Sequence, residues 1–478
     1  MKDIKRRVEL FSLYDRSGME EHLAKMAEKG WLLEKIGAYL WTYRRIEPKQ
    51  LTFSVCYFPK ASQFDPEPSE AQETFYDFCA HTGWVLAASN AQLQVFYNER
   101  QDPVPIDTDP TQEVETVHRA MKRSFLPGQL LLLVVVLFYG WMFFSDLQKD
   151  PIGTLSSPAD LFLFLCLVLL FVMVATETGT YFRWHRKAVK AAEQGEFYRT
   201  KGRQKLQMVC LALIFAGLVW YLLSLFASGS RMMRVLTILL FLIYVPGISL
   251  LVNGIKGYLK KQGTSAGVNR AVTFGGSVAI ALLLIFSVTS LALYGSSHGL
   301  LREDNTVTYE YQGRVYTLQR DPAPLTLEDL LDGDFSRYTL RWQGSQSPLL
   351  GQYSANQWPI GPVELFPEMF YLDYEVILVK VPALRGLCRE AKLHERDGWS
   401  DRNHVWQGYS YAPTDPTPWG AEEAYQWIPD GGADPIEDNH QYLLFYPDRV
   451  VEISLQWEQP PTKAQMAIVG EKLGRGKL

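Results

Sequence analysis

The sequence predicts a multi-domain membrane protein: a duplicated α+β strand-helix-strand-strand domain, an all-α five-helix transmembrane bundle, and a C-terminal α+β domain. Three observations predict it. Five long apolar segments fall between Leu126 and Tyr294. A motif near the N-terminus returns at a constant offset of 53 residues. The charge divides sharply along the chain: residues 1–125 carry 16 Lys/Arg against 19 Asp/Glu, residues 126–300 carry 15 against 6, and residues 301–478 carry 16 against 27. The expected boundaries are 1–100 for the first domain, 101–125 for a linker and juxtamembrane helix, 126–294 for the bundle and 301–478 for the last domain.

The apolar segments are Leu126–Phe144, Leu161–Phe182, Leu206–Ala227, Val235–Val252 and Val272–Tyr294. Each is long enough to cross a hydrocarbon core of about 30 Å as a helix. They are apolar on every side, unlike helices that shield a soluble core. The bilayer is therefore an expected partner, and the cell membrane the expected location.

Lys and Arg gather before the first segment (Arg119, Lys122, Arg123), after the second (Arg183 to Lys205) and after the fourth (Lys256, Lys260, Lys261, Arg270). By the positive-inside rule these flanks are cytoplasmic. An odd span count then places the N-terminal domain inside and residues 301–478 outside. The first long apolar run begins only after residue 125, so no signal peptide is expected.

In the first domain, Val8–Tyr14 reads as a strand. Ser17 with Glu20 reads as a capping box opening a helix that Gly30 ends. Trp31–Ile36 and Leu40–Ile46 follow as strands. The order then repeats as Leu51–Phe58, a helix capped by Ser69 with Gln72, the stop Gly83, and strands Trp84–Ala88 and Leu93–Tyr97. Two such units imply an antiparallel sheet with helices on one face. Two readings stand for Trp31, Trp41 and Trp84: lining of a ligand cleft between the halves, or packing of helix ends onto the sheet. The alternation of Arg44 and Arg45 sends at least one away from the core, as a solvated charge or a partner contact. Gln101–Thr111 is a Pro- and Asp-rich linker, and Glu113–Ser124 a helix leading into the membrane.

The run FSLYDRSGMEEHLAKMAEKGWLLEKIGAYLWTYRRIEP, the later FPKASQFDPEP and the basic helix before the membrane resemble bacterial membrane proteins grouped by an uncharacterised cytoplasmic domain, domain-of-unknown-function family 2812. The resemblance is best over residues 1–125. It implies location and architecture. That family carries no established activity, so the resemblance transfers no catalytic residue.

Within the spans the ionisable residue is Glu177, a candidate intramembrane functional residue. Pro246–Gly247 predicts a kink in the fourth span. In the last domain a hairpin is expected at Val307–Leu318 and a helix capped by Thr326 with Asp329. A strand is expected at Tyr371–Val381, a helix at Ala383–Leu393, a hairpin at Gln441–Trp457 and a final helix capped by Thr462. Trp399, Trp406, Trp419 and Trp427 lie in a Pro/Gly-rich stretch, as ligand contacts or as core. Asp430, Asp434, Glu437 and Asp438 match no calcium-loop spacing.

No HExxH, CxxC or phosphate-loop motif is present, and Gly408–Ala412 lacks the closing glycine of a nucleophile elbow. The expectation is no enzyme, no metal and no cofactor. An acidic last domain argues against nucleic acid as a partner. The expected function is sensing or regulation across the envelope, with a membrane or regulatory protein or a second copy of the chain as partner. The alternative is an accessory or scaffold subunit of a transporter or envelope complex.

Overall fold

The structure is a computed structural model. It describes the chain except residues 1–2, 13, 38–39, 63, 66–67, 201–203, 229–244, 298–304, 367, 395–397, 401–405, 430–438 and 477–478. The chain divides into two compact units, each taking part of the membrane helices.

The first unit holds the N-terminal domain: β1 (Ile4–Val8), α1 (Arg16–Glu28), β2 (Trp31–Lys35), β3 (Leu40–Arg45), β4 (Thr52–Tyr57), α2 (Glu70–His81), β5 (Val85–Asn90) and β6 (Leu93–Asn98). The order strand-helix-strand-strand occurs twice. It builds two antiparallel three-stranded sheets of matching order, β1-β3-β2 and β4-β6-β5. Even the register shifts correspond, falling between Leu33 and Lys35 in one and Leu86 and Ala88 in the other. Gly30 and Gly83 follow the two helices at φ +77° and +84°, the left-handed conformation that suits glycine.

Two local expectations are corrected. The first strand stops at Val8; beyond it Glu9, Ser12 and Tyr14 are buried, and Asp15 N–H donates to the Ser12 carbonyl at 2.8 Å. The first helix is capped by Asp15, whose side chain accepts from Gly18 N at 3.2 Å, and not by Ser17. Glu20 is drawn away from any capping role because its carboxylate accepts from Val55 N at 2.9 Å, tying α1 to β4. The Ser69–Gln72 capping box of α2 forms as expected.

After the linker, α3 (Pro110–Ala120) opens on Asp109 and runs through a π-turn at Met121–Phe125 into α4 (Leu126–Lys149). A short helix α5 (Pro151–Ser156) precedes α6 (Pro158–Glu193), α7 (Gln204–Ser228), α8 (Val245–Lys261) and α9 (Ala266–Ser297). Four of the described helices are long and apolar enough to cross a membrane. The expected fourth span, Val235–Val252, lies largely outside the described residues. Pro246 sits in the first described turn of α8, so the expected kink is not among the described features. Large side chains such as Leu131, Phe215 and Phe286 are about two-thirds exposed or more, a surface that hydrocarbon covers.

The core of the first unit continues from the domain into α6. Met19, Leu23, Leu33, Tyr43 and Val55 are buried together with Tyr181, Trp184 and Ala188. Tyr14 stacks on Trp184 with ring centroids 5.7 Å apart.

The second unit carries the C-terminal domain. A hairpin of β7 (Thr306–Tyr311) and β8 (Arg314–Gln319) turns at Gln312–Gly313, both at positive φ. α10 (Leu327–Leu330) has the expected Thr326–Asp329 box. The remaining strands are β9 (Tyr338–Gln346), β10 (Leu350–Pro359), β11 (Tyr371–Val379), β12 (Gly398–Ser400), β13 (Trp406–Thr414), β14 (Glu423–Pro429), β15 (Asn439–Phe445) and β16 (Arg449–Gln456). They form one eight-stranded antiparallel sheet of order β12-β13-β14-β15-β16-β11-β10-β9. One face packs on α12 (Lys463–Val469), with Leu327, Leu372, Trp419, Val451 and Leu473 at its centre. The other packs on α11 (Arg385–Leu393) and α5, where Ile152 joins Leu350, Ile377 and Cys388.

Candidate functional site

Segments far apart in sequence enclose a cleft of about 480 Å³ in the N-terminal domain. It lies where the two sheets meet; Asn90 Nδ2 donates to the Ile36 carbonyl there at 3.1 Å. Phe11, Met19, Ile36, Trp41, Tyr57 and Leu93 give it an apolar and aromatic lining. Trp41 is buried and lies against Phe11, with centroids 5.4 Å apart.

Glu9 is the carboxylate of this lining, and its side chain is only 6% exposed. His22 Nε2 lies 3.0 Å from its Oε1, Tyr43 Oη donates to the same oxygen at 3.2 Å, and Arg7 Nε is 3.3 Å away. Burial, and then the neighbouring Glu9 charge, push the Tyr43 phenol well above its usual range, so it stays a donor. Burial likewise raises the Tyr57 phenol. Among the described residues, the buried Tyr57 hydroxyl has no hydrogen-bond partner.

One wall of the cleft is the loop after β4. Arg123 Nη1, three residues before α4, donates to the Pro59 carbonyl at 3.0 Å. Asn269 Nδ2, near the start of α9, donates to the Phe64 carbonyl at 3.0 Å, and the Arg270 guanidinium lies 5.5 Å from the centre of the Phe64 ring. Asn269 is fully buried and also accepts from Thr273 Oγ1 at 3.1 Å. Loop and helix ends are thus bonded together.

A second concavity, about 430 Å³, adjoins Arg16. At its centre Arg16 bridges Asp107 and Glu113, each at 2.9 Å. That network fixes the linker against α1, so the first cleft is the better candidate site.

Residues 15–127 match the family described as Protein of unknown function (DUF2812). The DUF2812 region runs from the cap of α1 to the first residues of α4. It contains most of the cleft, while Glu9 and Phe11 precede it. No curated protein and no solved structure is a significant match to the chain.

The other sequence candidates fall in varied places. Arg44 and Arg45 are both exposed on β3, and Arg45 lies over the Trp31 ring at 5.0 Å. Trp31 and Trp84 do not line the cleft; Trp84 is buried with Cys56, Cys79 and Phe96, its Nε1 donating to Val104 O at 2.9 Å. Trp419 is 2% exposed and packs on Tyr442, inside the core. Trp399 and Trp406 lie on the paired strands β12 and β13, with Trp406 opposite Ser400. The acidic residues 430–438 lie outside the described residues. Glu177 accepts from Gln207 Nε2 at 3.1 Å. Among the described residues no group of His, Cys, Asp and Glu has the arrangement of a metal site.

Sequence reasoning missed Glu9, reading it as one position of a strand. The signal available was a carboxylate within an apolar run, VELF, at the start of that expected strand.

Proposed function

We propose that this chain is a membrane-bound sensor or regulator whose N-terminal domain recognises a ligand in the cleft and transmits occupancy to the membrane helices. One observation carries the reading: the wall of the cleft is hydrogen-bonded to residues at the starts of two membrane helices, Arg123 just before α4 and Asn269 in the first turn of α9. A ligand that moves this loop has a direct mechanical path to both helices. Coupling needs a ligand with different affinity for the two arrangements of that wall.

In this reading the N-terminal domain is a duplication and lies in the cytoplasm. Support for the duplication is the recurrence of strand order, glycine stop and register shift. Support for the location is the basic end of α6, which joins the core of the N-terminal domain, together with the positive-inside rule. Residues 301–478 lie outside the cell, five spans being the odd number this requires. α5, from the lysine-poor first loop, packs on the sheet of that domain.

Deleting residues 1–100 tests the function. The expected result is loss of the transcriptional or stress response that depends on the protein, with the shortened chain still in the membrane. An unchanged response overturns the reading. Cysteines placed at Lys49 and Thr308, both exposed or at the surface, test sidedness: an impermeant maleimide on intact cells is expected to label the second alone.

A further inference from the structure

The cleft reading leaves open what fills the cavity, and the inference here rests on that reading. Glu9 is buried among apolar and aromatic side chains. Its three donors, His22, Tyr43 and Arg7, all converge on Oε1. Among the described residues, no donor reaches Oε2. The Glu9 side chain is only 6% exposed, and a carboxylate so far withdrawn from water gains from a further charge-assisted hydrogen bond. Trp41 and Phe11 stand beside it, and aromatic faces attract cations. Arg7 offsets the carboxylate only in part, being 42% exposed and so screened by water.

The lining also holds two guanidinium groups, Arg123 and Arg270. Both are exposed and already engaged, with the Pro59 carbonyl and the Phe64 ring. Salt and water weaken their repulsion of a cation, whereas Glu9, with its side chain only 6% exposed, is less screened. The volume suits a drug-sized molecule.

We propose that the cleft binds a lipophilic organic cation, its charge on Glu9 Oε2 and its apolar body against Trp41 and Phe11.

The test uses the full chain in detergent micelles and two probes of nearly the same shape and opposite charge, tetraphenylphosphonium and tetraphenylborate. Equilibrium dialysis, corrected for empty micelles, measures saturable binding. Tetraphenylphosphonium is expected to bind at one site per chain, about tenfold or more tighter than tetraphenylborate. Glu9→Gln is expected to weaken the cation by a similar factor and to leave the anion unweakened. Ser62→Trp fills the cleft from its loop wall without touching Glu9, and is expected to abolish cation binding even where Glu9→Gln folds poorly. Unchanged cation binding in a folded Glu9→Gln chain overturns the proposal. So does binding of neither probe. Equal binding of both ions, lost together in Ser62→Trp, also overturns the charge assignment while leaving the cleft as the recognition site.

Discussion

Asn269 Nδ2 donates to the carbonyl of Phe64 at 3.0 Å, across 205 residues of sequence. The bond holds the wall of a cleft to the first turn of a membrane helix. Asn269 is fully buried, so its loss leaves the Phe64 carbonyl and the Thr273 hydroxyl short of a partner.

Asn269→Leu is therefore expected to loosen the loop after β4. An unsatisfied buried polar group costs about 1–3 kcal/mol. Amide hydrogen exchange over residues 58–65 is expected to accelerate, with the sheet β4-β6-β5 unaffected. Unchanged exchange in the loop would remove this contact from the coupling path.

Gly30 and Gly83 occupy matching places after α1 and α2, yet their surroundings differ. A Cβ on Gly30 would meet the Ile46 backbone carbonyl at 2.8 Å; on Gly83 it would meet the movable end of Asn98 at 3.3 Å. Both alanine variants carry a left-handed penalty of about 1–2 kcal/mol. Gly30→Ala is expected to lower the midpoint of thermal unfolding further than Gly83→Ala. Equal shifts would mean that the Ile46 carbonyl yields without cost.

In the C-terminal domain Lys392 Nζ lies 2.7 Å from both Glu375 and Glu452. Tyr411 and Gln441 also donate to Glu452, at 2.6 and 2.7 Å. Burial opposes ionisation of Lys392, but the two carboxylates outweigh it and raise its pKa. Burial also opposes ionisation of Glu452; Lys392 outweighs it and holds that carboxyl below its usual range. Lys392→Met leaves two carboxylates without their cation, an expected loss of about 3–5 kcal/mol. A depressed carboxyl contributes stability above the usual glutamate range and loses it as pH falls through the lowered folded pKa. Hydrogen exchange in β11 and β16 of the wild-type chain is thus expected to accelerate below about pH 4. In Lys392→Met it is expected to be fast already at neutral pH. A variant as protected as the wild type would show that the carboxylates find water instead.

Burial raises the thiols outside the membrane, Cys56 to about 12 and Cys79 and Cys388 to about 11. The thiolate is the nucleophile, so these cysteines are expected to resist iodoacetamide at pH 8 until denaturant is added. Rapid alkylation of Cys56 in the native chain would show that the β4–α2 layer opens.

Much of the local structure was legible in the sequence. The Ser69–Gln72 and Thr462–Gln465 boxes form, because capping depends on residues three apart. Gly30 and Gly83 stop their helices for an equally local reason. The first strand and cap were misread where distant residues intervene: Glu20 is taken by Val55, and the turn of Glu9 toward Tyr43 ends β1. Strands β9, β10, β13 and β14 were missed because their alternation is broken by glycine, proline and polar residues that the neighbouring strands accommodate.

The sequence by itself determined the apolar helices, the twofold strand-helix-strand-strand order and the Ser69, Thr326 and Thr462 caps, since each rests on period or on neighbours within a turn. The tertiary structure alone decided which of 52 carboxylates faces a cleft. Glu9 shares a cleft with Trp41, Leu93 and the loop at Ser62 only because two sheets and the ends of two membrane helices meet there. Burial of a charge is settled by what packs around it, and no pattern along the chain encodes that distance.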